Sequence, residues 1–327
     1  MFLVFFKRTL HIVLTTIVSL GVLLWIGSFT GWLPDVHGFE SNQMPIYSFI
    51  ANILSGSVLL KTLFAFAVML TTSLYILQLS SKYILIKTRT YLPALIYIIL
   101  TAGFISVKGL NPALISSIFV ALSLNNLFQI FETKKPHNNV FMAGFFIALG
   151  SLFYLPATVF LLLVFVAMII LGTFNLRFFF ISVFGFLTPW FFVFIYHYLL
   201  NDNIFAIPNM VQSTWNFNNL CAHYTVMSYV FIFISGLIML VSAGYMLRMI
   251  PTQKINIRKS HSILVWFTII SISSFFIVPS CSVELIYIAA IPVSIQISKY
   301  FASSRSRFWP QFWFTTMLAA VILAQFF

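Results

Sequence analysis

Two carboxylates and a histidine lie close together in the first long polar stretch of the chain. Asp35, His37 and Glu40 fall in the segment TGWLPDVHGFESNQMPIYS, residues 30–48. A carboxylate in such a loop could accept a proton from an incoming hydroxyl group as a general base. The same side chains could instead offer oxygen and nitrogen ligands to a divalent metal ion that orients a phosphate. Their spacing is not a specific metal signature, so both interpretations stay open.

Cations that could bind a lipid-linked phosphate near these acids are few. Lys61 and Lys108 are the two basic residues predicted on the same side of the membrane, and an anionic head group needs such a partner. Snorkelling from a helix end also explains Lys61, and a position in a turn also explains Lys108. His37 is a further candidate for the phosphate. His197, near the end of a later apolar run, either borders the same cavity or lies at the membrane interface.

Cys221 and Cys281 are the chain's two cysteines, and both are predicted on the outer side. An oxidising compartment would allow a disulfide between them. The sequence does not fix the distance between their Cα atoms, so pairing is one of two outcomes.

The composition of the chain indicates which kind of secondary structure must position these residues. The chain has 327 residues, of which 61% are hydrophobic and 7% are charged, and its mean hydropathy is +1.05. Soluble domains carry about 25% charged residues, so a soluble globular protein is excluded. A crossing of the bilayer needs about 20 apolar residues. The sequence therefore predicts an all-α, polytopic transmembrane helix bundle that forms one domain over residues 1–327.

The apolar runs predict about eleven crossings, with a range of ten to twelve, and a cytoplasmic N-terminus. The first run follows two basic residues and is too long for a signal peptide, so we interpret it as an uncleaved helix. The predicted extracytoplasmic loops cover about 30–57, which includes a short interfacial helix over 45–54, and 201–223. Residues 140–174 form either two short crossings or a re-entrant hairpin.

The distribution of charge supports this order of crossings. Of the 17 Lys and Arg residues, only Lys61 and Lys108 fall on the outer side, as the positive-inside rule requires. The basic residues are scattered between apolar runs, which excludes a nucleic-acid interface despite the net charge of +12. Four of the five acids fall outside. We interpret Asp202 as a solvated loop acid and Glu284 as a charge that favours the N-terminus of the helix after it.

The order of these features resembles the GT-C-type membrane glycosyltransferases: one helix, an outer loop with acids, a short interfacial helix and many crossings. The resemblance implies a polyprenyl-phosphate sugar as donor and assigns the catalytic role to Asp35 and Glu40. The adjacent Asp-Glu pair common in that family is absent. The segments Phe141–Pro156, Asn175–Arg177 and Gly185–Pro189 are also similar to an uncharacterised family of multipass inner-membrane proteins of Gram-negative bacteria.

These observations lead to two functional hypotheses. The first is an inner-membrane glycosyltransferase that moves a sugar, mannose being one candidate, from a polyprenyl-phosphate carrier to an extracytoplasmic protein or glycan. The alternative is a non-enzymatic subunit or scaffold of an export or envelope-assembly complex, or a lipid or glycan transporter. Membrane lipids are partners under both hypotheses, and other envelope proteins are partners under the second. A divalent metal ion is the one cofactor that the first outer loop could hold.

Overall fold

A computed structural model describes residues 6, 11–30, 44–54, 56–104, 107–133, 136–201, 208–209, 211–212, 226–304, 306 and 308–326. The regular elements within these residues are all helical. Short 3₁₀ turns cover Leu155–Phe160, Ile250–Thr252 and Val283–Leu285. The α-helices are α1 His11–Phe29, α2 Pro45–Ile53, α3 Val58–Lys82, α4 Leu92–Ala102, α5 Pro112–Gln129, α6 His137–Phe153, α7 Leu161–Leu171, α8 Leu176–Asn201, α9 Val226–Met249, α10 Ile255–Ile277, α11 Ile286–Ser303 and α12 Phe308–Phe326.

Seven helical segments among the described residues are long and apolar enough to cross a membrane, and three shorter ones are also apolar. For the described residues, the prediction of an all-helical fold with several helices able to span a membrane is therefore confirmed. Each predicted apolar run forms a helix, and the predicted interfacial helix is α2. The number of crossings and their orientation stay predictions. Residues 140–174 form two helices, α6 and α7, joined by a turn at Tyr154 and a 3₁₀ turn.

The centre of the bundle is formed by α4 and α11. Every residue of α4 is buried, although its 11 residues are too few to span a bilayer alone. It packs directly on α11, which is buried along most of its length. Two tyrosine hydroxyl groups join the central helices: Tyr97 Oη donates to Tyr287 O at 3.1 Å, and Tyr287 Oη donates to Val107 O at 2.9 Å. These bonds satisfy polar groups that would be costly if left alone in an apolar interior.

The helices α6 and α8 pack with their backbones in close contact. A Cβ atom on Gly144 would lie 2.2 Å from Ser182 O, and one on Gly185 would lie 2.3 Å from Phe141 O. Small residues allow such an approach between membrane helices. A hydrogen bond from Trp190 Nε1 to Ser151 Oγ, 2.9 Å long, joins the same pair.

Contacts between helix termini define the two ends of the bundle. At one end, here named the Lys108 end, the last turns of α1, α4 and α12 meet around the turn after α4. At the other end, here named the basic end, α3 and α5 finish together, and α10 begins beside the end of α7. The predicted topology places the Lys108 end outside the cell and the basic end in the cytoplasm.

Candidate functional site

A buried carboxyl group lies at the Lys108 end. Glu284 is 2% exposed and belongs to the 3₁₀ turn directly before α11. Carboxylates are rarely buried without polar partners, because removing a charge from water is costly. The position before α11 agrees with the interpretation of Glu284 as a helix-end charge. The sequence did not predict the burial of Glu284, and this burial makes Glu284 the centre of the candidate site.

Three polar side chains lie close to this carboxyl group, and two of their donors, Asn111 Nδ2 and Tyr154 Oη, are buried without a hydrogen-bond partner among the described residues. They come from three separate turns: Ser282 precedes the 3₁₀ turn, Asn111 precedes α5 and Tyr154 follows α6. Asn111 is the N-cap of α5, and its Oδ1 accepts a hydrogen bond from Ala113 N at 2.9 Å. Because the amide oxygen is used as the cap, the amide NH₂ group remains for Glu284.

The tyrosine supplies a hydroxyl group that keeps its proton. Burial raises the pKa of Tyr154 well above its ordinary value, and the neighbouring Glu284 and Cys281 raise it further. Tyr154 therefore presents an O–H group at neutral pH. Cys281 is also buried, and burial raises the pKa of its thiol to about 12. The four residues around Glu284 form the carboxyl cluster: Asn111, Tyr154, Cys281 and Ser282.

The amphipathic helix α2 docks beside the carboxyl cluster. Tyr47 Oη donates to Leu110 O at 2.9 Å, and the Tyr47 ring packs in a small apolar cluster with Phe153. Leu110 and Phe153 are the chain neighbours of Asn111 and Tyr154. The interfacial helix within the first predicted outer loop is thus held against two turns that build the cluster.

An apolar groove of about 320 Å³ opens next to the same turn. It lies between α9 and α10, and α4 and α11 also contribute to its wall. Its lining is almost entirely apolar, with Ser235, Ser271 and Ser282 as the polar exceptions. Phe275 and Phe276 at its rim are exposed, which on a membrane helix is the surface that meets lipid. The volume is within the range of ligand sites, about 300–1,000 Å³.

Ser282 connects the groove to the carboxyl cluster. Its side chain lines the groove and is also a polar neighbour of Glu284. A molecule in the groove would therefore have an apolar part beside α9 and α10 and a polar end beside the carboxyl group. This arrangement fits an amphiphile with a single long apolar chain.

Lys108 lies in the turn between α4 and α5 and is 8% exposed. Its Nζ donates to Leu24 O at 2.7 Å and to Oε1 of Gln325. Gln325 in turn donates from Nε2 to Ala102 O at 2.9 Å. Lys108 therefore joins α1, α4 and α12, which gives it a structural role; binding of a lipid phosphate by Lys108 stays a prediction.

We expect stability to depend on the protonation of Lys108. Burial lowers the pKa of its ammonium group from 10.5 to about 7. The unfolded chain therefore holds this proton more tightly than the folded chain, and stability should rise with pH from about 7 toward 10.5. Lys108→Met should remove this rise in the melting temperature of the purified protein. Lys61→Met, which leaves Lys108 in place, should retain it; an unchanged slope in Lys108→Met would contradict the expectation.

The other residues predicted from sequence are distributed as follows. Asp35, His37, Glu40, Asp202 and Cys221 lie outside the described residues. The catalytic role of the first loop and the disulfide with Cys281 therefore stay predictions.

Besides Lys108, two further residues predicted to bind the phosphate or border its cavity are described. Lys61 is half-buried in the first turn of α3. His197 is half-buried on α8, with its ring 6.0 Å from that of Tyr196. Within the described part of the chain, no three His, Cys, Asp or Glu residues form a group that could hold a metal ion.

The described residues define a class of protein. It is an all-helical protein with several helices able to cross a membrane and with a buried carboxyl cluster at one end of the bundle. Residues 43–327 match the model of the family of unknown function DUF6427, and the chain belongs to that family. No curated protein and no solved structure matches the chain. The family has no assigned activity, so glycosyl transfer and an inner-membrane location stay predictions.

Proposed function

We propose that the protein binds a polyprenyl-phosphate sugar, with the lipid chain in the apolar groove and the head group beside Glu284, and transfers the sugar to an extracytoplasmic acceptor. The observation that supports this most is the double role of Ser282, which lines the groove and neighbours the carboxyl group. A lipid-linked substrate has the same division into an apolar chain and a polar head. The order of helices that resembles the GT-C-type enzymes supports the choice of substrate.

In this proposal Glu284 is the general base. The acceptor hydroxyl oxygen forms a bond to the anomeric carbon of the sugar, and its proton passes to the Glu284 carboxylate. The bond between the anomeric carbon and the phosphate oxygen breaks, and the lipid phosphate leaves with the electron pair. Tyr154 and Asn111 would position the carboxylate by donating hydrogen bonds to it. General bases of this kind contribute about 10²–10⁴-fold to a rate.

Blocking the groove tests the binding step. Ala289 lines the groove on α11 and is half-buried, so an indole ring at this position should fill part of the cavity. We expect Ala289→Trp to reduce photo-crosslinking of a diazirine-bearing polyprenyl phosphate by about tenfold, a loss of roughly 1.4 kcal/mol of binding free energy.

A matched control separates the groove from the general lipid surface. Leu187→Trp adds the same ring at a site on α8 that is 50% exposed and outside the groove, and it should leave crosslinking unchanged. Crosslinking of Ala289→Trp at the wild-type level, or an equal loss in both variants, would refute binding in the groove.

A further inference from the structure

A second cavity, separate from the groove, lies at the basic end. Its volume is about 260 Å³, and it forms where the last turns of α3 and α5 and the end of α7 meet the first turns of α10. The carboxyl cluster contacts the opposite end of α5, whose 18 residues span about 27 Å. The two cavities are therefore independent sites. We name this one the lysine pocket, after Lys82 and Lys254 in its lining.

The lysine pocket has an excess of positive charge. Two ammonium groups, those of Lys82 and Lys254, face a single carboxylate, that of Glu132. Lys82 Nζ donates to Asn125 Oδ1 at 3.2 Å, which fixes the direction of its side chain and leaves two N–H donors. Tyr83 Oη also donates to Asn125 Oδ1, at 2.8 Å, and this second hydrogen bond holds the acceptor in place.

The first turns of α10 add polar groups to the lining. Asn256 and Ser260 lie one turn apart on the same helix face, and Ser260 Oγ donates to Asn256 O at 3.1 Å. The first turn of α10 has no acidic residue, and Lys254 provides no side-chain cap for it. Its positive end is therefore available to an anion, in addition to the two lysines.

The rest of the lining is apolar and adjoins an exposed apolar surface. Phe131 and Ile84 are exposed at 40% and 58%. Lys259 Nζ lies 4.9 Å from the centre of the Phe131 ring and donates to Leu171 O at 2.9 Å, so this wall is held in place by a third lysine. A free anion would meet little complementary surface here, whereas a phospholipid would place its phosphate near the lysines and its glycerol and acyl carbons against Phe131 and Ile84.

We propose that the lysine pocket binds the phosphate-bearing head group of an anionic phospholipid. Basic pockets between membrane helices favour such head groups, because each lysine near the lipid surface contributes to the attraction. The site goes beyond the proposed transfer reaction, uses none of its residues and stands without it.

Charge-removing variants in nanodiscs test the assignment. We expect Lys82→Gln/Lys254→Gln to reduce the binding of phosphatidylglycerol, measured by native mass spectrometry of protein released from phosphatidylcholine nanodiscs with and without phosphatidylglycerol, by at least about tenfold. Both side chains are exposed, so the fold should persist. Glu132→Gln, which removes the opposing charge, should tighten the binding.

The control removes two equal charges elsewhere. Arg177→Gln/Arg248→Gln changes two exposed cations on α8 and α9, outside the pocket lining, and should retain binding within about twofold of wild type. An equal loss in both double variants would show general surface attraction and refute the site. Stabilisation of the protein by inorganic phosphate to the same extent as by phosphatidylglycerol would refute the lipid assignment.

Discussion

Glu284→Gln is expected to slow the transfer of a sugar from polyprenyl phosphate by a factor on the order of 10²–10⁴, while crosslinking of the polyprenyl-phosphate probe stays close to wild type. Glutamine has nearly the same shape and still accepts hydrogen bonds through its amide oxygen, but it does not take up the proton of an acceptor hydroxyl group. The loss should therefore appear in the rate of polyprenyl-phosphate release and not in lipid binding. The melting temperature of the variant checks that the buried cluster remains folded.

The other acids provide the comparison that assigns the base. Glu132→Gln changes a described acid at the basic end and should leave transfer unchanged. Asp35→Asn and Glu40→Gln change the acids that the sequence resemblance favours. Full activity in Glu284→Gln with a large loss in one of these two would move the base to the first loop. Lipid binding with no effect of any acid on release would favour the non-enzymatic alternative.

Gly144→Val and Gly185→Val are each expected to destabilise the protein by about 1–3 kcal/mol or more, because the added Cβ would occupy the space of a backbone oxygen on the partner helix. The nearest atoms, Ser182 O and Phe141 O, belong to helix backbone and have no rotamer with which to move away. The helices α6 and α8 must therefore separate. Thermal unfolding of the purified variants in detergent should show a clear decrease in melting temperature for both.

A glycine in open space provides the control for this packing. Gly244 lies within α9, and a Cβ added there would meet no atom within 4 Å. Gly244→Val should change the melting temperature far less than either substitution between α6 and α8. Equal melting temperatures for all three variants would show that the backbones of α6 and α8 are not in tight contact.

The positions of the helices could be predicted from hydropathy because each lies in an apolar run between polar turns. The packing of the helices against one another could not be predicted from hydropathy. The central helix α4 is only 11 residues long, and all of it is buried. The sequence predicts an ordinary crossing over 91–107, and nothing in the composition of this segment indicates the burial. The central place of α4 results from contacts with the preceding helix α3 and with α11, which is distant along the chain.

The carboxyl cluster illustrates the same limit at the candidate site. Asn111, Tyr154 and Glu284 lie in three turns that are far apart in sequence, so no local motif connects them. The available signal was coarse: all three turns are predicted on one side of the membrane, and each lies near a proline or a helix start. The predicted topology could group these turns, but the burial of Glu284 depends on side-chain packing that only the structure shows.

An experimental density map of the protein in nanodiscs that contain polyprenyl phosphate tests the central proposal most directly. We expect continuous density for one lipid chain in the groove between α9 and α10, ending in a head group within hydrogen-bonding distance of Ser282 and beside Glu284. A groove closed by its own side chains, or lipid density that stops short of Ser282 while the carboxyl cluster remains sealed, would contradict the proposal.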